Sequence, residues 1–246
     1  MTPIDETANR RAEWGALLFA LVYPTLLTVV YFILLAKSAT VLQQGTYAIG
    51  KLIQFTFPVV WIVGVRRMRI GWSRPRRSDL VRGGLLGLTL FTVILILYHY
   101  VASPAGLFGS TAGEAIRQKI EGLGMGSLPR YVVLATFYVL LHSLFEEYYW
   151  RWFVFGRLRN LTSLPASIGV SSLGFMAHHV CIVSTFFGWL SPMSLLLSAA
   201  VAGGGVIWAW LYHRTNSLFA PWISHAFVDA AIFFVGYDLW YVRLSI

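Results

Sequence analysis

Two adjacent glutamates and an arginine, Glu146, Glu147 and Arg151, sit in the stretch FEEYYWRW (Phe145 to Trp152), where nearly every neighbour is apolar or aromatic. GFMAHHV supplies His178 and His179, and ISHAFVDAA supplies His225 and Asp229. His99 and His142 stand in similar surroundings. These residue types accept and donate protons in catalysis, and histidines and carboxylates also ligate zinc. Spacing sorts them into roles. Residues four apart share a helix face, so Glu147 can pair with Arg151, Asp229 can orient His225, and Phe175 can lie beside His179. Glu146 points about 100° away from Glu147, which leaves one glutamate for structure and the other for chemistry.

The rest of the chain makes these groups expensive. Of 246 residues, 57% are hydrophobic and 12% charged, and mean hydropathy is +0.68, whereas a soluble domain carries about 25% charged residues. Such a composition specifies a membrane protein. An ionisable group within a membrane span costs roughly 2.5–3.5 kcal/mol even on a mild scale, and usually marks a function. The 19 Lys and Arg against 10 Asp and Glu, a net +9, read as lipid-facing and topological rather than as a nucleic-acid surface. Cys181 is the single cysteine, which excludes an internal disulfide framework and a cysteine-based zinc cluster.

A spanning helix needs roughly 20 predominantly apolar residues. Seven runs qualify: Trp14 to Ala36, Tyr47 to Val65, Gly83 to Ala102, Tyr131 to Gly156, Leu164 to about Phe187, Met193 to Tyr212, and Leu218 to about Val235. The aromatic tail GYDLWYV extends the seventh or lies at the interface. The expectation is an all-α, polytopic membrane helix bundle of about seven spans and at most eight. The first run is longer than the 7–15 residues of a signal-peptide core, so it reads as a retained helix. Arginine-rich RRMRIGWSRPRRSDLVR (Arg66 to Arg82), Arg157 with Arg159, and His213 with Arg214 mark cytoplasmic loops, whereas WLSP carries no charge. This places the N-terminus in the cytoplasm. STAGEAIRQKIEGLG has the start and stop signals of a short helix, lying on the membrane surface or covering an entrance. The GGG from Gly203 reads as close helix packing. The NLT at Asn160 matches a glycosylation sequon, but the topology puts it inside.

At about 1.5 Å per residue, Glu146 lies roughly 15–20 Å from its helix end, His179 roughly 20 Å and His225 roughly 12 Å. All three fall in the middle of a core about 30 Å thick, so they are expected to converge on one buried polar site. A carboxylate beside imidazoles can act as general base on a water molecule, and a histidine with a polar partner can stabilise the resulting oxyanion. That is peptide-bond hydrolysis inside the membrane.

Three motifs in this order, EEYYWR as Glu-Glu-x-x-x-Arg, FMAHH as Phe-x-x-x-His, and HAFVD as His-x-x-x-Asn/Asp, resemble the CPBP family. These are the type II CAAX prenyl endopeptidases and bacteriocin-processing enzymes of the CAAX protease self-immunity group, regarded as glutamic intramembrane proteases. The resemblance covers Tyr131 to Phe234. It implies Glu146 as the base that activates water, His179 as its partner in holding that water, and His225 with Asp229 on the oxyanion side. Glu147, Arg151, Phe175 and His178 are supporting residues in this reading. The expected organisation is N-terminal spans in 1–130, a catalytic helical core in 131–236 and a tail in 237–246. No cofactor is expected, unless Glu146, His179 and His225 hold zinc with an open fourth position, as in a metalloendopeptidase. A non-catalytic immunity or scaffold protein of the same fold, and a proton-coupled transporter, are the alternatives from other classes. Expected partners are the lipid bilayer and a peptide or membrane-protein substrate, such as a prenylated C-terminal tail or a leader peptide, with no nucleic acid. The expected location is a prokaryotic cell (inner) membrane.

Overall fold

A computed structural model describes residues 3–71, 74–108, 110–122 and 124–242. The described residues contain helices and no strand. In chain order the helices are α1 (span Asn9–Leu34, in a helix that begins at Pro3), α2 (Thr40–Val65), α3 (Arg77–Ala102), α4 (Ser110–Gly122), α5 (Leu128–Leu158), α6 (Leu164–Phe187), α7 (Pro192–Thr215) and α8 (Phe219–Tyr241). All except α4 are long and apolar enough to cross a membrane. The protein is therefore an integral, multi-pass, all-α membrane protein, and the seven expected spans are all present.

The early spans begin further upstream than hydropathy indicates, because their first turns are polar. α3 starts at Arg77 rather than Gly83, where the Arg76 backbone N–H donates to the buried Asp79 carboxylate at 3.4 Å. A carboxylate in the first turn offsets the positive end of the helix dipole. Ser163 caps α6 by accepting from the Ala166 N–H, so Pro165 marks a helix start, a position where its missing N–H costs nothing. Pro58 lies inside α2, and a π-helical stretch, Val60–Val65, follows it. Five further π-helical stretches occur at Val30–Leu34, Tyr98–Ala102, Phe137–His142, Tyr148–Phe155 and Asp238–Val242. The last of these carries the aromatic tail onward from α8.

The chain divides into two compact units. The first comprises Met1–Ser73 with Tyr148–Trp210. In it α1 packs on α6, and Ala16, Leu17 and Ala20 of α1 are nearly inaccessible. Gly174 lets α6 approach, since a Cβ there would stand 2.7 Å from a Leu21 methyl and 2.9 Å from the Trp150 ring. Tyr149 Oη–H donates to the Ala20 carbonyl at 2.8 Å. Of the three consecutive glycines in α7, Gly205 takes up the packing role, with Ser172 of α6 at 3.0 Å from its would-be Cβ, whereas Gly203 faces open space.

The second unit comprises Arg74–Glu147 with Leu211–Ile246. Its tightest seam joins α3 to α8: a side chain on Gly83 would strike the Ala220 backbone, and one on Gly87 would lie 2.7 Å from the Phe227 ring. Tyr98 Oη–H donates to Asp238 at 2.5 Å, tying the end of α3 to the end of α8. The expected short helix is present as α4, where Arg117 binds Glu114 with both oxygens at 2.6 and 2.5 Å and holds its carboxyl below the usual range.

Gly83→Leu or Gly87→Leu forces α3 away from α8 and is expected to cost roughly 1–3 kcal/mol, the usual penalty for overpacking. Gly84→Leu, which meets nothing within 4 Å, should leave the thermal unfolding midpoint in detergent unchanged.

Candidate active site

Glu146 and Glu147 occupy a short α-helical stretch, Ser143–Glu147, between two π-helical stretches of α5. A π-helical turn inserts residues into the helix and is frequent at functional sites. One consequence is visible at Leu140, inside the first stretch, whose carbonyl accepts a hydrogen bond from Trp222 Nε1 of α8 at 3.0 Å. Tyr131 Oη–H donates to the Phe233 carbonyl at 2.7 Å, one end of α5 thus being fixed to α8 as well. With 131 opposite 233 and 140 opposite 222, the two helices run antiparallel in a set register. His225 lies one turn beyond Trp222, on the same face.

This register brings His225 to the glutamates. Its Nδ1–H donates to Glu147 Oε1 at 2.8 Å. Its Nε2 then faces Glu146 Oε2 at 3.7 Å and Asp229 Oδ1 at 3.6 Å. His142 Nε2 stands 3.9 Å from the other oxygen of Glu146. Glu146, Glu147 and His225 are 3%, 0% and 4% exposed. Adjacent glutamates point in different directions, and the imidazole reaches both because its two nitrogens lie on opposite edges of the ring. Groups of these types at these distances can hold and exchange protons, and Glu147 fixes the orientation of the His225 ring.

The spacing of His225 and Asp229 indicated their pairing correctly. The bond from His225 to Glu147 was not legible, because it joins residues 78 apart in the chain and depends on the register of α5 against α8. His142 had the right spacing to tune Glu146 and is within reach of it.

The remaining expected residues lie in the first unit. His179 Nδ1–H donates to the Phe175 carbonyl at 2.9 Å, a bond that the four-residue spacing allows. The Phe175 ring packs on the His179 ring with centroids 4.7 Å apart. Arg151, 1% exposed, sets its guanidinium over the rings of Phe175 at 4.7 Å and Trp208 at 5.3 Å. Cation–π contact of this kind gains strength where water is excluded. Arg151 therefore braces the residue that fixes the His179 ring. His178 stacks flat on Trp150, with centroids 5.7 Å apart.

Residues 128–231 match the family model described as Type II CAAX prenyl endopeptidase Rce1-like. The matched segment contains all three motifs and every candidate site residue named above. The match is to the family that the motifs resemble, and a family of that description implies a protease acting on peptide substrates in a membrane. No curated protein and no solved structure matches the chain.

Replacing Glu147 tests the local geometry without reference to activity. Glu147→Leu leaves the buried Nδ1–H of His225 without an acceptor, at a cost of about 1–3 kcal/mol. Glu147→Gln keeps an acceptor oxygen and should unfold closer to wild type, and equal midpoints for the two variants would show that the hydrogen bond does not stabilise the unit.

Proposed function

We propose that the protein is a glutamic-type intramembrane endopeptidase with Glu146 as its general base. The observation that carries this reading is a carboxylate 3% exposed, placed beside an imidazole whose orientation a second glutamate fixes. In the reaction, Glu146 takes a proton from water as the water oxygen bonds to the scissile carbonyl carbon. His179 Nε2 holds the same water, a role assigned from the motif order and from the engagement of Nδ1 with Phe175. His225, protonated on both nitrogens and balanced by Glu147, donates from Nε2 to the oxyanion. Asp229 steers that nitrogen. Glu146 then passes its proton to the leaving amide nitrogen, the C–N bond breaks, and a carboxylic acid and an amine result.

A groove of about 480 Å3 lies between α5 and α8, lined among others by Tyr131, Ala135, Val139, Leu140, Phe233 and Tyr237. Along α5 it ends about 9 Å short of Glu146, at 1.5 Å per residue. We assign it to an apolar portion of the substrate, a lipidated or membrane-embedded peptide tail. In this reading the loop charges are cytoplasmic signals and the N-terminus lies in the cytoplasm.

Zinc is a second reading. A carboxylate bonded to the far nitrogen of a histidine is also the arrangement that orients metal-binding imidazoles, and Glu147 provides it to His225.

Purified wild type and Glu146→Gln should be compared on quenched lipidated and unlipidated peptides, with and without chelator. Loss of general-base catalysis lowers the rate about 10²–10⁴-fold, and cleavage by wild type should be indifferent to chelator. Chelator-sensitive cleavage would establish the zinc reading, and cleavage by neither protein would favour a non-catalytic role. Asp229→Asn keeps a polar group at the same place and is expected to retain activity within about tenfold of wild type, since His225 supplies the oxyanion bond.

A further inference from the structure

Glu13, at the start of α1, is buried and accepts two arginines from other helices. Arg157, at the end of α5, donates from Nε to Glu13 Oε2 at 2.9 Å, with Nη2 2.6 Å from Oε1. Arg66, at the end of α2, brings Nε to 2.7 Å from the same Oε1. Three helix ends of the first unit are thus drawn together around a single carboxylate. The side chains of Arg66 and Arg157 are 21% and 14% exposed, that of Glu13 only 6%. One negative charge faces two positive ones, so the cluster is left with a positive charge. The two Nη nitrogens of Arg66 make no hydrogen bond among the described residues.

What surrounds this cluster has a chemical bias. In the first unit, Arg10, Arg11, Arg66, Arg67, Arg69, Arg157 and Arg159 lie at this end of the helices, and no lysine does. The unit's lysines are Lys37, in the α1–α2 connection at the opposite end, and Lys51, within α2. Its acidic residues number three, Asp5, Glu6 and Glu13. Lysine and arginine serve equally in orienting a membrane chain. A guanidinium differs in carrying five N–H donors in one plane, so that it can bind a carboxylate along one edge and still turn a donor toward a phosphate. Trp14, adjacent to Glu13 and exposed, is the aromatic type that marks the headgroup level of a bilayer.

We propose that Arg66 and Arg157, held side by side by Glu13, form a seat for the phosphodiester of an anionic phospholipid headgroup, with Arg67 and Arg69 adding to its positive field. Glu13 acts as the spacer. It neutralises enough charge for two guanidiniums to stand together and fixes their Nε edges. A diester at the bilayer surface offers two non-ester oxygens at the depth where these helices end. The seat makes the protein's stability depend on the composition of the leaflet it faces.

The test uses full-length protein in neutral detergent. The single, buried thiol of Cys181 reports thermal unfolding when it becomes accessible to a thiol-reactive dye. Short-chain phosphatidylglycerol should raise the unfolding midpoint saturably, while short-chain phosphatidylcholine and inorganic phosphate at matched concentrations should not. Arg157→Lys keeps the charge but loses the planar group that binds Glu13 and a phosphate together, and should raise the half-saturating phosphatidylglycerol concentration about tenfold, the loss of one charge-assisted bond. Arg66→Lys carries the same test if Arg157→Lys does not fold. A phosphatidylglycerol response unchanged in the lysine variants would reduce the site to diffuse charge, and an equal shift from phosphatidylcholine or inorganic phosphate would equally overturn the proposal.

Discussion

A carboxylate inside a hydrocarbon layer has no water to turn to, so the protein must supply its partners. In the second unit a hydrogen bond from His225 Nδ1 to Glu147 is central to meeting that need. It gives one oxygen of a fully buried glutamate a partner, fixes the ring of His225, and thereby aims the other nitrogen at Glu146 and Asp229. Everything else in α5 and α8 serves to bring those two side chains within 2.8 Å: the Tyr131 bond at one end, the Trp222 bond in the middle, and the glycines of α3 that let α8 settle closely.

The proposed catalytic arrangement and membrane stability share their parts here. The Glu147–His225 pair that makes burial tolerable is also the pair that tunes the imidazole, and Arg151 plays a comparable double part in the first unit. Its charge is accommodated by the faces of Phe175 and Trp208, and the same Phe175 holds the His179 ring through its backbone carbonyl. A structural change at any of these residues reaches the reactive groups within one or two contacts.

Much of this was legible from the chain alone. Long apolar runs announce their helices, and i,i+4 spacing correctly paired Phe175 with His179 and His225 with Asp229. Such features are local, and local geometry follows from helical periodicity. Two kinds of information were out of reach. Helix starts such as Thr40 and Arg77 lie in polar turns that hydropathy does not register. The π-helical stretches leave no compositional mark, and the register of α5 against α8 follows from them. Without that register the Glu147–His225 bond could not be foreseen, although both residues had been singled out. The arginines on Glu13 were read as topological signals alone, since nothing in their spacing shows that three helix ends meet.

The π-helical stretch Phe137–His142 also bears on how this chain can vary through descent. A wide turn in a helix is, in effect, a surplus residue absorbed without a loop. Removing that residue would restore regular winding and swing everything that follows by about 100°, carrying Glu146 off the face that meets His225. The length of α5 is therefore a heritable constraint as strict as the identity of its glutamates. Comparing this helix with one that lacks the wide turn calls for a gap in the middle of a membrane span, where gaps are ordinarily forbidden.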